Sequence, residues 1–539
     1  MSALGTTDIL RTALAELPAQ EETAADIPAL LSALQDIHSI PSFRPTESAP
    51  NSIVSFRCML QDTTSQPEVF MPVLETDEPE SGSTGQGEDI DYSRLKERAV
   101  VWAVGVPGES SWVQDTLVPN ARSLSASPKP IEIHPSIAHK FPCVQSGEGS
   151  EAERAGAFIK FYDDSTHSPL TIHTVIGLLT FAPSEDPSAF PLLSSGPSLS
   201  PDSSLPLLPT IHVLKTTSHT DSLVPVDKLP LIEPGKEWHA IRTELRNLIC
   251  QIGLGGEEAW VGEWVLGLIC QRNQPPLHPL TASLLPPQST PLPLRYLLPH
   301  LLPTFHSIPI SISTLNKSHF HPSSTKNEDL QAGALQLPKG GTLWIEEAGL
   351  GEGGVLGERG LGNFEAIKKV MGEQKIEFSF PFSSFWFPMD VNVLVIGDAK
   401  GGTLLPVDVK IPLQSPSKSY ATEEEVEAAL PGSERMNQFR ALIARAREGT
   451  LVVPPDVSEA IQSHFVNHRQ IHGPQSLSGE ELGLRMKFAR SLALSRGQTK
   501  MDLETWQDAW RLDELRLGQA DGWIASDGSG KAKEKLVGR

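Results

Sequence analysis

LTASLLPPQSTPLPLRYLLPHLL, residues 280–302, is the stretch on which the fold turns. Its first six residues form a short apolar run that reads as a buried strand, and residues 293–302 place apolar side chains at helical spacing. A strand that runs straight into a helix is the unit of an α/β layer, and the helix's first N–H groups would face an anion held between the two. The connecting residues oppose that use. Pro286, Pro287, Pro291 and Pro293 delete N–H donors, and the loop holds no glycine to wrap a phosphate and no lysine to neutralise one.

The alternation continues downstream. Strand-like IPISIS (308–313), TLWIEE (342–347) and VNVLVIGD (391–398) are interleaved with a helical pattern at NFEAIKKVM (363–371), which predicts an α/β domain with a mainly parallel sheet over 219–415. Two amphipathic helices, EWHAIRTELRNLICQIGL (237–254) and EAWVGEWVLGLICQ (258–271), precede it. A helical domain follows over 416–518, then a flexible tail over 519–539. Upstream, residues 1–48 predict a short helical segment. Residues 49–218 carry strand-like pieces at IVSFRCMLQD, AVVWAV, AFIKFYDD, LTIHTVIGLLTF and TIHVLK. Acidic, Pro- and Ser-rich insertions near 77–95, 119–153 and 183–209 are expected to be disordered, so this part reads as an interrupted β-barrel.

A formal charge of -22 opposes unaided binding to a phosphate backbone. The four cysteines (Cys58, Cys143, Cys250, Cys270) contain no C-x-x-C pair, which fits a reducing compartment and buried thiols. No apolar stretch approaches the roughly 18 residues of a membrane span, and the amino terminus lacks the pattern of a signal peptide, so a soluble intracellular protein is expected.

Few residues invite chemistry. Gly349, Gly351 and Gly354 spell G-x-G-x-x-G after a strand, but glycines continue through Gly357, Gly360 and Gly362. That segment reads as a flexible linker, with its helix starting near Asn363, too late to receive a pyrophosphate. Glu346 and Glu347 end an apolar strand, where a metal-bound nucleotide's acidic partner would lie. Lacking a phosphate site, they read as solvated strand-end residues. His278, His300, His306, His319 and His321 read as surface side chains, and Ser110 and Ser111 in GESSW lack the closing glycine of a nucleophile elbow. No catalytic, cofactor-binding or metal-ligating residue is assigned.

Five segments, NSIVSFRCMLQD (51–62), VPGESSWV (106–113), ALQLPKGGTLWIEE (334–347), FPMDVNVLVIGD (387–398) and ARSLALSRGQTKMDLETW (489–506), resemble, in order, the signatures of the minichromosome maintenance complex-binding protein family. A second resemblance is to the helicase subunits themselves. LQAGALQLPKGGTLWIEE is similar to the approach to their Walker B strand, with Glu346 and Glu347 in the acidic positions. FEAIKKVMGEQKIEFSF looks like their next helix and hairpin. VNVLVIGD looks like the sensor strand, with Gly397 and Asp398 where an Asn-Pro pair is usual. The segment from FRALIARAREG (439–449) onward is similar to their helical lid.

The resemblance therefore implies a multidomain α+β chain: N-terminal helices, an OB-like barrel, a degenerate AAA+-like α/β domain without a P-loop, and a helical lid. The arginine-finger motif is replaced by GGTLLPVDVKI (401–411), and Glu480 stands where a sensor arginine is expected. The implied role is a nuclear, non-catalytic factor that binds helicase subunits, reaches chromatin through them, promotes their assembly or unloading, and supports sister-chromatid cohesion. Alternatives are an ATPase working through atypical residues and a DNA-binding barrel. For the latter, Phe158, Phe161 and Tyr162 with the single cation Lys160 make a poor strand-binding face, so direct DNA contact is not expected.

Overall fold

The computed structural model describes residues 4–16, 27–35, 39–45, 47–65, 67–74, 92–117, 137–142, 154–163, 165–183, 207–219, 223–224, 228–275, 277–287, 291–324, 330–347, 354–397, 402–416, 420–473 and 475–526. They form an α+β protein with a closed barrel at one end. Its strands are β1 (Ser52–Asp62), β3 (Lys96–Gly105), β4 (Gly156–Phe161), β5 (Ile172–Pro183) and β6 (Leu207–Ser218). They run in the order β1-β5-β6-β4-β3, and β3 pairs back onto β1 to close the ring. Only β4 and β6 pair in parallel, while the short β2 (Glu68–Phe70) extends β3 on its outer side. Along β1, Val54, Phe56, Cys58 and Leu60 point into the barrel, as the period of two requires. Gly177 lies at a bulge where a Cβ would come within 2.2 Å of the His212 carbonyl oxygen.

The barrel's outside is also apolar. Met59, Trp102, Val104 and Leu170 face away from its interior and share a core with Ile308, Leu335, Leu343, Ile345 and Val393 of the α/β part. The α/β sheet consists of β7 (Ala282–Leu285), β8 (Phe305–Ile310), β9 (Gly341–Glu347), β12 (Val391–Ile396) and β13 (Val409–Pro412). Its order is β13-β7-β12-β9-β8, with every pair parallel. Strand β13 lies in the segment where the sequence showed only a missing motif. Its four residues give too little pattern to read alone.

The helices number, in chain order, α1 (Thr6–Ala15), α2 (Ile27–Ala33), α3 (Ser111–Leu117), α4 (Lys236–Leu248), α5 (Ala259–Cys270), α6 (Leu294–Leu301), α7 (Ile312–Lys317) and α8 (Glu358–Glu373). The carboxyl-terminal set is α9 (Glu423–Ala429), α10 (Ser433–Glu448), α11 (Pro455–His472), α12 (Gly479–Ser495) and α13 (Leu503–Ser526). The sheet face opposite the barrel carries Ala282, Leu284, Trp344 and Leu394. These join Leu245, Trp264, Phe439, Phe488 and Trp506 in one large helical core. A hairpin, β10 (Lys375–Phe380) with β11 (Ser383–Pro388), forms a separate two-stranded sheet whose Ile376 and Phe378 join the core between barrel and α/β part.

Several expectations are corrected. Helix α8 begins at Glu358, not Asn363, so Gly360 and Gly362 are helical. Gly360 is selected by contact, since a Cβ there would come within 2.2 Å of the Asn316 side-chain oxygen. Helix α13 runs to Ser526, into the stretch expected as tail. Within the expected disordered insertion 119–153, residues 137–142 are ordered, because Phe141 is buried edge-on against Trp102. The rest of that insertion, the acidic stretch 75–91 and residues 184–206 lie outside the described residues. ISIS, read as strand, turns helical at Ile312, where Ser311 and Thr314 form a capping box.

His306 is not a surface histidine. It is 6% exposed on β8, and burial holds its pKa down at about 4. An imidazole that resists protonation only when folded leaves the unfolded chain to bind more protons below its ordinary value of 6.5. Stability is then full above pH 6.5 and falls as the pH drops towards 4. For His306 the expected loss is about 2 kcal/mol between pH 6.5 and 5. Urea titrations at the two pH values check this, with His306→Leu flattening the dependence.

Candidate functional site

The carboxyl ends of parallel strands are where α/β layers carry their ligands, and β9 delivers Glu346 and Glu347 there. Neither is a solvated strand-end residue. Glu346 receives its hydrogen bonds from inside the chain. Arg295 Nη1, on α6, donates to its two oxygens at 3.1 and 3.0 Å, and Trp344 Nε1 donates to Oε1 at 2.7 Å. Arg295 thus takes the space between the first turn of the loop-following helix and the acidic strand end.

Glu347 is only 7% exposed. Its carboxylate accepts from Thr403 Oγ1 (3.0 Å), Leu404 N (3.1 Å) and Leu405 N (3.0 Å), which ties the segment after β12 to the end of β9. Burial pushes its pKa up, against the pull of these donors. It serves as a backbone clasp.

Gly397 follows β12 and donates its N–H to Leu284 O at 3.0 Å. A Cβ would lie 2.6 Å from Leu285 Cδ2 and 2.8 Å from Gly402 O, so the asparagine usual in the resembled sensor strand has no room here. Asp398 lies outside the described residues, as do Gly349 and Gly351, while Gly354 packs on Ile312. Glu480 is an exposed first-turn residue of α12, whose amino terminus is capped by Ser478 and Glu481.

The barrel's candidate side chains are likewise spoken for. Phe161 points inward and Phe158 packs on Trp102. Lys160 pairs with Glu68 at 3.0 Å, and Tyr162 accepts from Arg98 at 2.8 Å. Arg98, 5% exposed, also holds Glu16 at the end of α1 and Glu68 on β2. Ser110 donates to Leu302 O at 2.6 Å, and Trp112 Nε1 to Pro299 O at 3.2 Å, so VPGESSWV is a joint between barrel and layer.

Two features escaped the sequence reading. The resemblance implied a hairpin after the helix, but not that the run FSFPFSSFWF (378–387) of β10–β11 leaves aromatics uncovered. Phe378 and Phe387 pack inward at 4.7 Å, whereas Phe382 at the tip is fully exposed and Phe385 and Trp386 are about half exposed. A cleft of about 260 Å³ separates the hairpin from α8, with Lys369 over the Trp386 ring. The density of aromatics was the available signal. The second feature is His464, His468 and His472 on α11, at the i, i+4 spacing sought only among other histidines. The His464 ring lies on Trp510, however, and among the described residues no group of three or more His, Cys, Asp or Glu could hold a metal. No described helix is long and apolar enough to cross a membrane. Cys58, Cys250 and Cys270 are free and buried.

Residues 28–136 and 120–519 match the family described as mini-chromosome maintenance replisome factor. The chain belongs to that family. Similar proteins carry the name mini-chromosome maintenance complex-binding protein. The zebrafish (Danio rerio) protein is 26% identical over 90% of this chain and 92% of its own length, and the human one is 26% identical over 87% and 88%. The Arabidopsis thaliana protein is 26% identical over 68% of this chain and 63% of its own. The five segments that suggested the membership all lie within the matched range.

Proposed function

We propose that this protein is a non-catalytic nuclear factor that binds subunits of the mini-chromosome maintenance helicase, promotes assembly of the complex or its unloading from chromatin, and supports sister-chromatid cohesion. The names of its relatives and the family match support the binding role. One observation in the fold carries the choice of docking over chemistry. At the strand ends, Glu346 and Glu347 already serve Arg295 and the 403–405 backbone, while the aromatic hairpin is left without a cover among the described residues.

The five-stranded closed barrel with one parallel pair supports an OB-like reading, and the all-parallel five-stranded layer supports a degenerate AAA+-like body with a helical lid. We keep 49–218, 219–415 and 416–518 as the proposed divisions. DNA binding by the barrel finds no favour, because the candidate side chains Lys160 and Tyr162 are paired internally.

Aromatic side chains at the centre of an interface each contribute about 2 kcal/mol or more. Phe382→Ala combined with Trp386→Ala is therefore expected to lower retention of helicase subunits in pull-downs from nuclear extract more than about 30-fold. Phe382 is fully exposed and Trp386 about half exposed, so the melting temperature should stay within a few degrees. Full retention by the double variant would remove the hairpin from the interface. Absence of any subunit with the unaltered chain would overturn the binding role itself.

A further inference from the structure

A cavity of about 40 Å³ opens at the opposite end of the α/β layer, where Lys339 and Gly340 lead into β9. By the room a single water needs, this holds about three waters, the space of one carboxylate or phosphate group. Its floor is apolar, with Trp112, Leu229, Leu301 and Ile443. Its charges do not balance. Arg272, Lys339, Arg440 and Arg447 all line it, against the single carboxylate of Glu448, which is exposed at the rim.

The cations differ in what already holds them. Arg272 is paired with Asp390 at 2.7 Å. Arg440 stacks 4.4 Å from the Trp112 ring centre and donates to His300 O and Asn437 Oδ1. Arg447 is 8% exposed, yet its hydrogen bonds go only to neutral oxygens, Gln271 O at 3.4 Å and Thr342 Oγ1 at 3.2 Å. The side-chain ammonium of Lys339 has no hydrogen-bond or ion-pair partner among the described residues, and burial lowers its pKa against the pull of nearby Asp390. Asp390 acts on both Arg447 and Lys339 through its charge, but it is bonded to Arg272; a buried guanidinium with no carboxylate bonded to it is costly, and a second cation beside it adds repulsion. One anion placed in this cavity would relieve both. In a chain with 66 acidic and 44 basic residues, the convergence of four cations on one cavity is not a compositional accident.

We propose that this cavity is a binding site for a small oxyanion, a phosphate or carboxylate group, held by Lys339 and Arg447 on an apolar floor. It lies far from Glu346 and Glu347 along β9, and it stands or falls independently of the helicase-binding role. Phosphate and carboxylate share the planar or tetrahedral oxygen edge that a guanidinium and an ammonium grip together.

The test uses the full chain. Thermal melts are recorded against inorganic phosphate, acetate and chloride at matched ionic strength, and the 31P line width of phosphate is measured with and without protein. Saturable stabilisation by phosphate or acetate, absent with chloride, is the expected result, and the ratio of the two dissociation constants tells which group the cavity prefers. Lys339→Met should weaken binding tenfold or more, and Lys339→Arg should restore it. Equal melts in all three salts, or binding unchanged in Lys339→Met, would overturn the site. Should Lys339→Met not fold, the comparison of salts and the 31P line width on the unaltered chain still decide.

Discussion

Glu263→Ala is expected to lower the stability of the folded chain by about 3–5 kcal/mol, read as a shift of the urea midpoint with an unchanged slope. Glu263 sits on α5, and its carboxylate grips both Arg242 and Arg246 of α4. Arg242 Nη1 lies 3.1 Å away, its Nη2 closer still, and Arg246 Nη1 is at 3.2 Å. Both Glu263 and Arg242 are less than 10% exposed, so removing the carboxylate leaves a buried guanidinium that still donates to Ser495 Oγ. The cost comes from that stranded charge more than from the lost attraction. Replacing both partners with methionine should accordingly recover a large part of the loss.

The same pair has a pH signature. Burial alone would raise the Glu263 carboxyl, but hydrogen bonds and charge from Arg242, then Arg246, hold it below the usual carboxylate range. A depressed carboxyl contributes stability above its unfolded pKa of about 4.5 and loses it as the pH falls through that value towards the folded one. The acid limb of the stability profile should therefore be shallower in Glu263→Ala. An unchanged profile would show that Glu263 is not held as described.

Trp102→Ala is expected to cost about 3–5 kcal/mol and to weaken the barrel and the α/β layer in one transition. Trp102 is 1% exposed on β3. It points away from the barrel interior, edge-on to Phe141 and Phe158, into the core that also contains Leu343 and Val393. The interface is sewn by polar contacts as well. Gln61 Nε2 donates to Gln336 Oε1 at 3.0 Å, and Lys339 N donates to Leu170 O at 3.1 Å. A cavity here has parts of both units as its walls. Thermal melts followed by far-ultraviolet dichroism and by the fluorescence of the remaining tryptophans should still coincide. Separation into two transitions would show that the barrel folds without the layer.

Those two variants also mark where reading the sequence ran short. Residues 237–254 and 258–271 were legible as helices, although the second is buried all round rather than along one face, and nothing local reveals that Arg242 and Glu263 meet across them. Trp102 was legible as a strand residue. Which side of the strand it faced was not, because β3 is apolar on both faces and a period of two then carries no direction. Phe158 read as part of a poor strand-binding face, but only the structure shows it in the seam between barrel and layer, packed on Trp102.

What the sequence determined by itself is local chemistry. Prolines at 286, 287, 291 and 293 rule out a phosphate-wrapping backbone, the periodicities set most strands and helices, and five ordered segments marked the family. The tertiary structure alone decided what the remaining polar groups do. Glu346 found Arg295, 51 residues away, and Glu347 found the backbone of Leu404 and Leu405, 57 and 58 residues on. His306 became core, and Gly360 became helix packed against Asn316. Propensity and periodicity act over a few residues, whereas desolvation and hydrogen-bond pairing are settled by neighbours the chain brings in from far away. Glu346 and Glu347, two acids that looked exposed and idle, are fastened in place for that reason.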